Sequence, residues 1–287
     1  MSNENGIFEQ DWLGFDWSSW MEIEPEGGIP DVLPTDEGLY RVRHDAYEGL
    51  VYIGETGRSV RGRLGSLMRG VFDGEMPFSD PHTGSPSLWS IVDRHGPGFE
   101  VSVATPEQAT DSQQRKAIED ALIALHRRER GKTPVGNFGR MPPGYEKSKK
   151  RSSGERGGQS DDDERRSFHD DAPALPWENA EEVTSRDWMG VPWTRPASLS
   201  EARSNIPKDP GLYRIWNPDK SPPLEYIGQT VNLHSRLNTH RRNRDESLQF
   251  SYAEQPELSE GHKLSQVETD LLGGHWLACR ESPRDQY

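Results

Sequence analysis

The segments LVYIGETGRSVRG (residues 50–62) and LEYIGQTVNLHSR (residues 224–236) repeat one pattern within a chain of 287 residues. Each begins with leucine, contains Tyr-Ile-Gly and continues into a stretch that carries arginine. Upstream of both, Gly-Leu-Tyr-Arg occurs at residues 38–41 and again at residues 211–214. Self-similarity across so long a separation indicates that the chain contains two copies of one structural unit.

The residue pattern around these motifs predicts the fold class. Gly-Leu-Tyr-Arg and Tyr-Ile-Gly lie in short β-rich runs with turn-forming residues between them, which is typical of an antiparallel hairpin. A third strand is predicted at FEVSVA (99–104) in the first copy and at LQFSYA (248–253) in the second. Amphipathic helices are predicted after the hairpins and near the end of each copy. We therefore expect an α+β protein of two small domains, each a three-stranded antiparallel sheet flanked by helices.

A polar stretch separates the two copies. Residues 146–172 are nearly devoid of aliphatic side chains and dense in serine, glycine and charges of both signs. Such a segment buries too little apolar surface to offset the entropy lost on ordering. We predict domains at residues 1–145 and 173–287, with residues 146–172 as a disordered linker.

The composition limits the classes of function. The net charge is -14 with 34 basic residues, and the mean hydropathy is -0.93. An acidic surface poor in lysine suggests a halophilic host, and it argues that any nucleic-acid partner is met by local arginine clusters. Cys279 is the single cysteine, which excludes an internal disulfide. With no secretory signal and no long apolar run, we expect a cytoplasmic protein with no membrane partner.

Two glutamates stand out on the predicted late helices. Glu268 falls among Leu264, Val267 and Leu271, where a buried carboxylate needs a partner. A divalent cation is a natural partner for it. Glu119 is predicted to be less buried than Glu268. For Glu119 an ordinary ion pair with Arg115, one turn earlier, is the simpler alternative to a cation.

Side chains able to handle a phosphate are predicted beside Glu268. Arg236 and His240 are four residues apart on one predicted helix, so both project from the same face. Tyr213 and Tyr226 lie on paired strands, where alternate residues share a face of the sheet. Tyrosine, arginine, histidine and glutamate around a phosphate suggest metal-assisted cleavage of a phosphodiester bond.

These motifs resemble those of the GIY-YIG endonucleases, a family with a three-stranded sheet, two tyrosines, an arginine and a histidine on a helix, a metal-binding glutamate and a terminal asparagine. The second copy matches at Tyr213, Tyr226, Arg236, His240 and Glu268, and has Gln286 in place of asparagine. The first copy matches at Tyr40, Tyr52, Glu119 and Asn137. Its arginine is either Arg61 or Arg63, and Leu67 stands where the histidine is expected.

The resemblance implies a mechanism and a set of partners. One tyrosine acts as general base, directly or through water, and Glu268 and Glu119 each hold Mg²⁺ or Mn²⁺. Arg236, and Arg63 in the first copy, stabilise the transition state, while Asn137 and Gln286 support the sites. The implied substrate is DNA, whether ordinary, branched or damaged, and no small-molecule cofactor is implied. The second copy is the better candidate catalyst because its one departure from the pattern is conservative.

Further basic residues are predicted to contact the nucleic-acid backbone, although a solvated helix end is the simpler alternative for those that follow His240. This set comprises Arg61, Arg241, Arg242 and Arg244. We interpret His82 as a loop histidine and His126 as a surface histidine, with no role as metal ligands.

Two alternatives to a nuclease remain. A tandem pseudo-nuclease with one or both sites inactive could bind branched or paired DNA through two linked modules, gaining effective concentration without cleavage. A protein-binding scaffold is the third possibility, which an absence of affinity for nucleic acid at any salt concentration would support.

Overall fold

The computed structural model describes residues 6–26, 28–160, 170–202, 206–220, 224–245, 247–258 and 260–287. Contacts within the chain divide it into two compact units. The first unit comprises Met1–Arg115 and Thr133–Asp170, and the second comprises Lys116–Lys132 and Asp171–Tyr287.

The first unit is built on a four-stranded antiparallel sheet. Its strands are β1 (Met21–Ile23), β2 (Gly38–His44), β3 (Leu50–Thr56) and β4 (Phe99–Ala104), in the spatial order β1-β4-β2-β3. Helix α1 (Val60–Met68) follows β3, and α2 (Ser85–His95) precedes β4. Helix α3 (Ser112–Arg130) begins in the first unit and continues through the segment assigned to the second. A ribbon of β5 (Tyr145–Glu146) and β6 (Gly158–Gln159) completes the unit.

The second unit repeats the architecture. Its strands are β7 (Ala197–Ser198), β8 (Gly211–Trp216), β9 (Tyr226–Thr230) and β10 (Gln249–Glu254), in the spatial order β7-β10-β8-β9. Helix α4 (Leu233–Asn243) lies between β9 and β10, and α5 (Gly261–Cys279) follows β10. All pairs in the sheet are antiparallel.

The two faces of the second sheet are covered by different elements. Tyr213 and Ile215 pack with Leu233 and Leu237 of α4. On the other face, alternate residues such as Leu212 and Ile227 pack with the leucines of α5 and with Trp188 and Trp193. Burial on both faces explains why β8 has no exposed position. Tyr213 therefore faces α4 while Leu212 and Ile227 face α5, as the alternation of side chains along a strand requires.

The α+β class is confirmed, but each sheet has four strands where three were predicted. The additional strand is short in both units and pairs with the outer edge of the third predicted strand. β1 contains three residues and β7 two, which is too short for an alternating pattern to be visible in the sequence.

The residues predicted as a linker, 146–172, are partly structured. Tyr145 pairs with Gln159 across the β5–β6 ribbon, and the Ser148 hydroxyl accepts a hydrogen bond from the Gly157 amide at 2.9 Å. The Ser79 amide donates to the Lys149 carbonyl oxygen at 3.1 Å. Polar and backbone contacts order this ribbon, together with the burial of Tyr145 against Trp89 and Met141. Residues 161–169 lie outside the described part of the chain.

The tryptophans that recur in both copies surround a buried arginine. Arg41 lies over Trp17 and Arg214 over Trp193, each with its guanidinium carbon 4.4 Å from the ring centroid. Each guanidinium also donates to backbone carbonyls in the segment that precedes its sheet, here called the N-terminal arm. For Arg41 the acceptors are the carbonyls of Ile7 and Glu9. These contacts fix the N-terminal arm of each unit against its sheet.

No helix in the described residues is both long enough and apolar enough to cross a membrane.

Candidate active sites

Two stacked tyrosines lie on the sheet of the second unit. Tyr213 on β8 and Tyr226 on β9 have ring centroids 6.0 Å apart and an interplanar angle of 16°. Tyr213 is paired with Gly228, the glycine of the Tyr-Ile-Gly segment. A Cβ built on Gly228 would overlap the phenol end of Tyr213, so only glycine allows this ring to cross the neighbouring strand.

Helix α4 brings the predicted arginine and histidine to the same hydroxyl group. The helix begins after Asn232, whose side chain caps the Ser235 amide at 2.9 Å. Arg236 Nε donates to Tyr213 Oη at 2.9 Å, and Arg236 Nη2 donates to Tyr226 Oη at 3.4 Å. His240 Nε2 lies 3.0 Å from Tyr213 Oη. The structure therefore brings four of the predicted residues together.

The basic residues that follow His240 have different environments. Arg244 Nε donates to His240 Nδ1 at 3.0 Å, and its Nη1 donates to Asp285 at 2.6 Å. Its guanidinium also lies 5.0 Å from the Tyr226 ring centroid. Arg244 thus supports His240, and its contact with a nucleic-acid backbone stays a prediction. Arg242 is exposed, and Arg241 bonds to Asn238 on its own helix.

Glu268 on α5 lies at the same site. It accepts a hydrogen bond from the backbone N–H of Gln229, two residues after Ile227 on β9. Burial raises the pKa of Glu268 to about 7, and the nearby Asp120 carboxyl adds to the rise, while the Gln229 amide and Arg236 oppose it. Burial raises the pKa of Tyr213, Tyr226 and to a smaller extent Glu268 add to the rise, and Arg236 opposes it.

Asp120 was not predicted from the sequence. Its two oxygens accept hydrogen bonds from Thr269 at 3.0 Å and from the Tyr287 hydroxyl at 2.5 Å. Burial raises the pKa of Asp120 to about 6. The second unit therefore places a second carboxyl group near Glu268. Nothing in the spacing of the two halves signals it, because Thr269 occupies the equivalent position beside Glu268.

The residues present fit a cation held by one protein carboxylate. Within the described ranges, no three histidine, cysteine, aspartate or glutamate side chains converge as a metal cluster. Mg²⁺ is commonly held by one or two carboxylates, with water and substrate phosphate supplying the other oxygens. Burial is the main cause of the raised pKa of Glu268, so the charged carboxylate is disfavoured in the protein alone, and a bound cation would favour it.

The side-chain amides of Asn137 and Gln286, each near the end of its copy, occupy equivalent places. Gln286 Oε1 accepts a hydrogen bond from the Ile227 amide at 3.0 Å. In the first unit, Asn137 Oδ1 accepts from the Ile53 amide at 3.0 Å, and Asn137 Nδ2 donates to the Ile53 carbonyl at 2.8 Å. Both side chains therefore hold the strand that carries the Tyr-Ile-Gly segment.

The first unit contains a similar pair of tyrosines with a histidine from another source. Tyr40 and Tyr52 have ring centroids 6.0 Å apart and an interplanar angle of 8°. His82 Nε2 lies 3.3 Å from Tyr40 Oη, and its ring contacts Tyr52 edge-on at 5.4 Å. Leu67, at the position where a histidine was expected, is completely buried in the core.

His82 is the functional candidate that sequence reasoning missed. It lies in the loop before α2 as predicted, yet only 1% of its surface is exposed. His126 is buried as well, with 2% exposed, so its interpretation as a surface histidine is wrong. His82 lies in a loop, and a loop has no periodic pattern by which a buried residue could be predicted. The only signal in the sequence was that Leu67 stands where a histidine is expected, so that another residue would have to supply the imidazole.

The geometry separates the two candidate arginines of the first unit. Arg61 turns to the surface and pairs with Asp31 at 3.2 Å. Arg63 lies near His82, whose pKa it helps to lower, and lines an open cleft of about 580 Å³ together with Arg58, Ser59 and Ser66. Arg63 is thus the one of the two arginines that lies near His82, which contacts both tyrosines.

Glu119, the metal ligand predicted for the first copy, lies on the portion of α3 that groups with the second unit. Arg115, offered as its simple ion-pair partner, forms an ion pair with Glu55 at 2.6 Å.

No protein-family model matches the sequence, and comparison with curated proteins and with solved structures gives no significant match.

Proposed function

We propose that the chain is a metal-dependent endonuclease that hydrolyses phosphodiester bonds in DNA, with sites of the GIY-YIG type. One observation carries the proposal. In the second unit, Arg236 and His240 converge on the hydroxyl of Tyr213, and Glu268 is held by the Gln229 amide next to the strand that carries Tyr226. Strand pairing and core packing alone do not require this combination of residue types at one point.

The arrangement supports hydrolysis by an activated water molecule. One tyrosine of the pair first releases its own proton to solvent; as the phenolate it then accepts a proton from water, and the water oxygen bonds to phosphorus. The bond to the leaving oxygen breaks, and that oxygen takes the electron pair. Tyr226 is partly exposed, whereas Tyr213 is fully buried beneath Arg236. Water therefore reaches Tyr226 directly, and it reaches Tyr213 once Arg236 turns towards the phosphate.

Arg236 is placed to serve the phosphate. Its guanidinium contacts both phenol oxygens, and an anionic phosphate is a stronger partner than a neutral hydroxyl. Once on the phosphate, Arg236 stabilises the negative charge that develops in the transition state.

A divalent cation completes the proposed chemistry. Glu268 would hold it in the second unit, and when bound it polarises the phosphate and neutralises developing charge. The assignment of Glu119 as a metal ligand rests on the sequence. Arg241 and Arg242 are the stronger candidates for contact with the DNA backbone in this unit, since Arg244 supports His240.

A cleavage assay with matched glutamate variants tests the proposal. Supercoiled plasmid and branched DNA are incubated with Mg²⁺ or Mn²⁺ at low and at molar salt, because the acidic composition suggests a halophilic host. Wild type is compared with Glu268→Gln, Glu119→Gln and the double variant. Glu257→Gln, at an exposed site, is the control. We expect Glu268→Gln to slow second-site cleavage by about 100-fold or more.

The absence of a three-residue metal cluster in the described residues favours a second candidate, a tandem nucleic-acid-binding pseudo-nuclease. Binding of DNA without cleavage by the wild type, under every metal and salt condition, would establish that function and reject the nuclease.

A further inference from the structure

Two histidines from different places in the sequence meet equivalent tyrosines. In the second unit His240 comes from α4, and in the first unit His82 comes from the loop before α2. Their Nε2 atoms lie 3.0 Å from Tyr213 Oη and 3.3 Å from Tyr40 Oη. Both rings also contact the second tyrosine of the pair, with centroids 5.1 Å apart for His240 and 5.4 Å for His82.

The other ring nitrogen of each histidine faces a group that can only donate. Arg244 Nε donates to His240 Nδ1 at 3.0 Å, and the Gly84 backbone amide donates to His82 Nδ1 at 3.1 Å. A neutral imidazole has one N–H donor and one acceptor nitrogen. Since Nδ1 accepts in both residues, the proton is on Nε2, and Nε2–H donates to the tyrosine oxygen.

The surroundings keep both rings neutral. Burial, Arg63 and Lys147 lower the pKa of His82 to about 3. Burial, Arg236 and Arg244 lower the pKa of His240 to about 4. A doubly protonated ring would also direct an Nδ1–H at the guanidinium of Arg244 or at the amide of Gly84.

We propose that His82 is the first unit's counterpart of His240, and that both are positioning residues whose Nε2–H holds the oxygen of the buried tyrosine as a hydrogen-bond acceptor. Their effect on cleavage rests on the proposed function; their tautomeric state does not.

The consequence is that neither histidine serves as a base towards the tyrosine. Tyr213 Oη already accepts from Arg236 and is the acceptor for His240, so two donors face this oxygen. Donors directed at a phenol oxygen favour the phenolate over the phenol. The histidines therefore assist a tyrosine that gives up its proton.

The chain supplies an internal control for the tautomer. His126 Nδ1 lies 2.9 Å from the Lys132 carbonyl oxygen, and His275 Nδ1 lies 3.1 Å from the Glu281 carbonyl oxygen. A carbonyl accepts only, so both histidines carry the proton on Nδ1, and His275 Nε2 accepts from the Leu224 amide at 2.9 Å.

Long-range ¹H–¹⁵N NMR of the full chain at pH 7 distinguishes the two tautomers, because protonated and unprotonated ring nitrogens have well-separated shifts. Spectra of His82→Gln and His240→Gln assign the signals. We expect the Nε2–H tautomer for His82 and His240 and the Nδ1–H tautomer for His126 and His275. An Nδ1–H or doubly protonated ring at His82 or His240 would overturn the proposal.

A cleavage measurement tests the positioning role in the first unit. In the Glu268→Gln background, His82→Ala removes the donor, whereas His82→Gln retains an N–H near the position of Nε2. His95→Ala, at an exposed histidine on α2, is the control. We expect His82→Ala to slow first-site cleavage by about 10- to 100-fold, the effect of one hydrogen bond to a charged group, and His82→Gln to recover most of it.

Equal rates for His82→Ala and the Glu268→Gln parent would overturn the role of His82, as would a Gln variant no better than Ala. If the wild type cleaves no nucleic acid, the proposed function fails, and the NMR measurement alone decides whether the two histidines share a tautomer.

Discussion

The glycine of each Tyr-Ile-Gly segment lies beneath a tyrosine of the adjacent strand. Gly54 is paired with Tyr40, and Gly228 with Tyr213. In both pairs a Cβ on the glycine would overlap the phenol end of the ring. The recurrence of glycine at this position therefore reflects the space that the tyrosine needs, and it links the sheet directly to the site.

Gly228→Ala tests this requirement. We expect the added methyl group to displace the Tyr213 ring, lowering the free energy of unfolding by about 1–3 kcal/mol and abolishing second-site cleavage. Gly261→Ala is the matched control, because a Cβ there meets nothing within 4 Å and alanine suits a helix. Urea unfolding of both variants gives the comparison. Equal stability of the two would contradict the packing described for Gly228.

A buried neutral histidine makes the second unit sensitive to acid. Burial lowers the pKa of His275 from 6.5 to about 4. As pH falls, the unfolded chain binds the proton first, so the stability from His275 is complete above pH 6.5 and is lost as pH falls through about 4.

His275→Gln isolates this effect. Between pH 7.5 and pH 5 we expect the wild type to lose about 2 kcal/mol more of its unfolding free energy than the variant. Urea titrations at the two pH values provide the measurement. Asp120 and Glu268, whose pKa values are raised, make an opposite contribution that is common to both proteins. Comparing the two losses of unfolding free energy, rather than the absolute values, therefore removes it. The same loss in both proteins would show that His275 does not remain neutral in the fold.

At the scale of elements, each central strand is tied to its N-terminal arm by an arginine. Arg214 on β8 donates to the Ser185 carbonyl at 2.6 Å and to the Ser251 hydroxyl of β10 at 2.8 Å, within a surround of tryptophans. A planar guanidinium suits this combination of several acceptors and aromatic faces. The arm, a segment with little regular structure, is thereby fixed to the sheet.

Arg214→Lys should loosen the arm. Lysine cannot reach the carbonyls and the hydroxyl together, so buried acceptors lose their donors and we expect a loss of about 3 kcal/mol in unfolding free energy. Arg195→Lys, at an exposed site, should change stability by less than about 0.5 kcal/mol. Chemical denaturation measures both. Similarly small losses of unfolding free energy in both variants would mean that the contacts of the Arg214 guanidinium contribute little to stability.

The elements that the sequence could predict are those with a strong periodic pattern. The three longer strands of each sheet and the helix with Arg236 and His240 follow from alternation and helical spacing. The edge strands β1 and β7 could not be predicted, because two or three residues carry no period. Most of the β5–β6 ribbon was predicted as linker, because its order comes from strand pairing, from polar contacts and from the burial of Tyr145, which lies just before the predicted linker.

At the scale of the whole chain, the two copies share the arrangement of a histidine beside a tyrosine pair, although different sequence positions supply the histidine. The Tyr213 site could be predicted because its arginine and histidine share one helix. The Tyr40 site could be predicted only in part, because its histidine comes from a loop distant in sequence. With a net charge of -14, the proposed binding of DNA would depend on local arginines rather than on the charge of the whole molecule.

The most direct test is the rate of DNA cleavage by the variant in which Tyr40 and Tyr213 are both replaced by phenylalanine. This change removes one oxygen atom from each site and leaves the stacked rings in place. We predict a fall of about 100-fold or more in cleavage, with DNA binding retained, because Arg236 and His240 lose their common acceptor. Cleavage at the wild-type rate would contradict the assignment of the tyrosine pairs as the catalytic centres.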